Sequence, residues 1–84
     1  MKTIRKNAFK KIQTIVSNAS ELKYYSLSND FDPQSSVTNK EEIESIVTAI
    51  MKDRVNSIIQ KDNGTVVFRI HSNLWIELYP KEVA

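Results

Sequence analysis

The chain has 84 residues, with 12 Lys or Arg against 10 Asp or Glu, 40% hydrophobic residues, one Gly, two Pro and no Cys. A chain this short closes a single core, and without Cys it has no disulfide framework, zinc knuckle or thiol nucleophile, so residues 1–84 read as one small domain of a reducing compartment. Lys10 and Lys11 interrupt the first apolar stretch, leaving no h-region of a signal peptide and no run long enough to cross a bilayer, so the expected setting is cytoplasmic, without membrane association.

Charge is unevenly spread. Residues 1–20 carry five bases and no acid, whereas residues 21–53 carry seven acids and three bases. Ile4, Ala8, Ile12, Ile15, Val16 and Ala19 recur at spacings of three and four and predict an amphipathic helix over residues 3–19. Lys2, Lys6 and Lys10 line its far side as a basic ridge, with Lys11 and Arg5 nearby and Phe9 towards the apolar side. Asn18-Ala19-Ser20 and Asn63-Gly64-Thr65 match the glycosylation acceptor pattern by chance if no secretory signal is present.

Tyr24, Tyr25 and Leu27 suggest a short strand, and residues 29–39, rich in turn formers, read as a loop. Within it Asp30, Asp32, Gln34 and Glu41 fall at positions 1, 3, 5 and 12 of a calcium loop, with Val37 at position 8. These twelve residues resemble an EF-hand loop, which would make them calcium ligands. Ser35 stands where that loop needs Gly and Pro33 stiffens position 4, so a solvated turn ending in a helix cap is preferred and no metal or cofactor is expected. Thr38 and Glu41 have capping-box spacing, and Ile43, Ile46, Val47, Ile50 and Met51 carry a second helix to about Asp53.

Val55–Lys61 could continue the helix, but Asp62-Asn63-Gly64 followed by Thr65–Ile70 argues that it pairs in a hairpin, and Leu74–Tyr79 supplies a third strand. A three-residue loop, His71-Ser72-Asn73, would pair Ile70 with Leu74, Phe68 with Ile76 and Val66 with Leu78, all on one face. The expected fold is thus α+β in two layers, about two helices on one face of a three-stranded antiparallel meander, with a winged helix as runner-up. As the last strand, Leu74–Tyr79 could lie at an edge and pair with a second copy to form a homodimer.

No catalytic constellation is expected. His71 is the one imidazole, read as a turn residue bonded to backbone, and Gly64 alone cannot build a phosphate-binding loop. The other face of the meander is the leading binding surface: Arg69 lies across from Trp75, Val67 across from Glu77, and Tyr79 continues the row. The expected function is non-enzymatic binding of a protein partner through Val67, Arg69, Trp75, Glu77 and Tyr79. Size and the lack of catalytic groups suggest a phage- or plasmid-type inhibitor, of the anti-CRISPR or immunity class. The alternative is a nucleic-acid-binding module using Lys2, Lys6, Lys10 and Lys11.

Overall fold

The computed structural model describes residues 1–26, 33–52 and 55–81. In chain order the elements are β1 (Lys2–Ile4), α1 (Phe9–Ser17), β2 (Ala19–Ser26), β3 (Pro33–Val37), α2 (Lys40–Lys52), β4 (Ser57–Gln60), β5 (Val66–His71) and β6 (Leu74–Pro80). The strands form one sheet in the order β1-β4-β5-β6-β2-β3, with every neighbouring pair antiparallel. The α+β class with two helices agrees with the sequence, but the expected three-stranded meander (β4, β5, β6) forms three of the four inner strands of a six-stranded sheet. A winged helix is not what forms, because β2 and β3 separate α1 from α2 and leave no helix-turn-helix before the Asn63-Gly64 hairpin.

The expected helix over 3–19 is shorter than its apolar stripe. Ile4 lies in β1 opposite Ile58, and Ala19 opens β2 opposite Pro80; both are buried. A turn in which the Ala8 amide donates to the Arg5 carbonyl separates β1 from α1. Ile4 and Ala8, four residues apart, mimic one helical face, although Ile4 reaches the core from a strand. Within α1, Ile12 and Val16 are the buried residues. Phe9 is 68% exposed, contrary to its expected place towards the apolar side, because it stands at the first residue of the helix, where the core ends.

The loop expected over 29–39 is in part strand. Leu22 pairs with Val37, Lys23 with Ser36 and Tyr24 with Ser35, so positions 4 to 8 of the EF-hand-like stretch run extended as β3 rather than wrapping around an ion. Asp30 and Asp32 lie outside the described residues, as does Leu27. The cap of α2 is Asn39, one residue after the expected Thr38: its Oδ1 accepts from the Glu42 amide at 3.0 Å, and its carbonyl accepts from the Ile43 amide. Helix α2 then buries Ile43 and Val47 and ends at Lys52, close to the expected boundary.

Both helices pack on the same face of the sheet. Ile4, Ile58, Val66, Phe68, Ile76, Leu78 and Leu22 point into it and join Ile12, Val16, Ile43 and Val47 in one core. The β5–β6 register matches the expectation at Val66↔Leu78, Val67↔Glu77, Phe68↔Ile76 and Arg69↔Trp75. It departs from it at the turn. Leu74 pairs with His71, leaving a two-residue turn at Ser72-Asn73, and a bulge between Arg69 and His71 restores the phase. Such a bulge inserts one unpaired residue, so a short turn and a single-faced apolar set coexist.

Strand β6 is not an edge. It is paired on both sides, with β5 and with β2, so the expected homodimer through the C-terminal strand has no open backbone to use; the sheet ends at β1 and β3.

Candidate functional site

Period-two alternation sends the remaining side chains of the central strands to the face without helices. Val67, Arg69, Trp75, Glu77 and Tyr79, the five residues expected there, all occur on it, and β2 adds three more. Lys23 pairs with Glu77, Tyr25 with Trp75 and Glu21 with Tyr79. These β2 residues were missed because the strand was read only as far as Tyr24, Tyr25 and Leu27. The alternation of Glu21, Lys23 and Tyr25 with Leu22 and Tyr24 was the signal that could have found them.

Aromatic rings dominate the centre. Tyr25 and Trp75 stack with ring centroids 5.6 Å apart and planes within 6° of parallel. The Lys23 Nζ sits 5.2 Å from the centroid of the Tyr79 ring, a cation–π arrangement. Ser36, from β3, donates to the Glu21 carboxylate at the margin.

Glu77 ties the cluster together. Its Oε2 accepts from Trp75 Nε1 at 3.2 Å, and its Oε1 accepts from the Tyr79 hydroxyl at 3.0 Å, with Lys61 Nζ 3.8 Å away. Its side chain is 14% exposed, so the carboxylate is largely withdrawn from water while each of its oxygens accepts a hydrogen bond. The Tyr79 and Tyr25 hydroxyls lie 3.0 Å apart. Since the one Tyr79 proton goes to Glu77, the Tyr25 hydroxyl donates to Tyr79, and a directed chain runs Tyr25 to Tyr79 to Glu77. Burial first, then the bonds to Tyr25 and Glu77 and the nearby Glu77 charge, push the Tyr79 hydroxyl well above the ordinary tyrosine value; burial alone raises Tyr24, whose side chain is directed towards the core. Chemically the cluster is a fixed amphipathic platform in which Glu77 acts as an anchor for its neighbours.

The basic residues are not one ridge. Lys2 lies in β1 opposite Gln60, Lys6 in the turn before α1, and Lys10 and Lys11 in α1 itself. Lys10 lines the groove between the helices, while Lys11 lines a hollow on the other side of α1 with Gln60, Gly64 and Pro80. All four are exposed. His71 is exposed at its turn and accepts a bond from the Asn73 amide on Nδ1 at 3.2 Å, as a turn histidine should. Among the described residues there is no group of three His, Cys, Asp or Glu that could hold a metal, and no helix is long and apolar enough to cross a membrane.

No protein-family model matches this chain, and no curated protein or solved structure matches it either.

Proposed function

We propose that this chain is a non-enzymatic binding protein whose helix-free sheet face engages a protein partner. The observation that carries the reading is the Tyr25–Trp75 stack, joined through Tyr79 to a largely buried Glu77 on a face that the helices leave uncovered. Trp, Tyr and Arg most often dominate protein interfaces, and side chains already held by one another lose little freedom on binding. Arg69, exposed beside the stack, supplies orientation, and Val67 supplies apolar area. The narrower assignment to a mobile-element inhibitor, of the anti-CRISPR or immunity class, rests on size and composition alone and belongs to the same proposal.

The test is capture of the binding partner from a cell extract at low and moderate salt, with and without nuclease, using the wild type, Trp75→Ala, Arg69→Glu and Lys2→Glu/Lys6→Glu. A stoichiometric protein that survives nuclease, is lost with Trp75→Ala or Arg69→Glu and is kept by the lysine variant supports the reading. Recovery of nucleic acid that is released by salt and lost with the lysines overturns it in favour of the basic N-terminal segment, as does capture indifferent to both outer-face variants.

A further inference from the structure

The face opposite Trp75 carries a separate surface, the layer of two helices. They run side by side in opposite directions. Asn18, the C-cap of α1, leads directly into β2, and Val37, just before α2, pairs with Leu22 of β2, so the end of α1 and the start of α2 share one end of the domain. At the other end Phe9 opens α1 and shares a hollow with Met51 of α2. A groove runs between the helices, walled by Lys10, Gln13 and Ser17 on one side and Glu44, Thr48 and Lys52 on the other.

Charge is sorted along this groove. Lys6, Lys10 and Lys52 stand at the Phe9 end, while at the opposite end Glu41, Glu42 and Glu44 outnumber Lys40, and all seven are exposed. None of them forms an ion pair among the described residues. Phe9, 68% exposed, is the large apolar side chain at the basic end.

A surface basic at one end and acidic at the other complements itself under a two-fold rotation. With the axis lying along the outer surface of the helix layer, perpendicular to the groove near Gln13 and Thr48, the rotation lays the basic end of one copy over the acidic end of the next. A partner of one charge sign would satisfy one end and be repelled by the other, whereas a second copy satisfies both. We infer that the helix layer is a self-association surface: two copies of this chain dock helix layer to helix layer, Lys10 and Lys52 of each meeting Glu41 and Glu44 of the other, with Phe9 covered. This dimer leaves the aromatic face of both copies outward, so its failure would leave the proposed function standing.

Sedimentation equilibrium from micromolar to millimolar concentration tests it. The wild type is expected to form a dimer that weakens at least about tenfold between low and moderate salt. Lys10→Glu/Lys52→Glu and Glu41→Lys/Glu44→Lys, each alone, put like charges together at both ends and are expected to be monomers. Mixed in equal amounts they restore opposite charges at both ends and are expected to form a heterodimer. Circular dichroism establishes that each variant is folded, and Phe9→Ser, which removes the apolar side chain without changing any charge, is expected to weaken dimerisation at least about tenfold. A wild type that stays monomeric, charge variants that dimerise alone as the wild type does, a folded pair that stays monomeric on mixing, or unchanged dimerisation of Phe9→Ser would each overturn the inference.

Discussion

Tyr25 and Trp75 face each other across the β2–β6 pairing with their rings 5.6 Å apart and nearly parallel. The stack joins two strands that are far apart in the sequence. An aromatic pair of this kind contributes about 0.5–1.5 kcal/mol beyond the area it buries, so a double-mutant cycle with Tyr25→Leu and Trp75→Leu should return a coupling energy in that range by urea denaturation. Additive effects of the two substitutions would mean that the rings do not act together.

Tyr79 makes stability depend on alkaline pH. Its hydroxyl ionises above the unfolded value of 10.0, with burial as the main cause. The folded state therefore keeps a proton that the unfolded chain releases. This contribution is complete below the unfolded pKa and is lost as pH rises from there through the folded pKa. Urea midpoints measured at pH 9 and pH 11 should fall further for the wild type than for Tyr79→Phe, and equal falls would contradict the assignment.

Gly64 occupies the left-handed region at φ +91° in the β4–β5 turn, where a Cβ would stand 3.3 Å from the Pro80 ring. Gly64→Ala therefore meets both backbone strain and a close neighbour. A loss of about 1–2 kcal/mol is expected in chemical denaturation.

Asn39 and Thr38 give contrasting expectations at the start of α2. The Asn39 side chain takes the Glu42 amide, so Asn39→Ala should cost about 1 kcal/mol in chemical denaturation, while Thr38→Ala should change stability by less than half of that. The reverse order would restore Thr38 as the cap.

The legible parts of this fold were those in which one local pattern met one element. The Asn63-Gly64 turn marked the β4–β5 hairpin, and the alternation of Val66, Phe68, Ile76 and Leu78 set the β5–β6 pairing that puts Arg69 opposite Trp75. Helix α2 was legible from Ile43 and Val47, but two neighbouring polar residues, Thr38 and Asn39, compete for its cap, and only the fold decides between them. Strand β1 was hidden because Ile4 falls in phase with the apolar positions of α1, and β3 because Pro33–Val37 is polar and rich in turn formers; its pairing with β2 overrides those local preferences. The same long-range pairing explains the incomplete view of the binding face. Trp75, Glu77 and Tyr79 lie on one strand and could be read together, whereas Tyr25 and Lys23 pair with Trp75 and Glu77 from a distant strand, 50 and 54 positions earlier in the sequence.

The most direct measurement is the affinity of the wild type and of folded Trp75→Ala for the captured protein partner, by titration calorimetry. A central aromatic anchor predicts a loss of about 2 kcal/mol or more, roughly thirtyfold in Kd, on removal of the indole. Equal affinity of the two proteins would contradict the assignment of the Trp75 face as the binding surface.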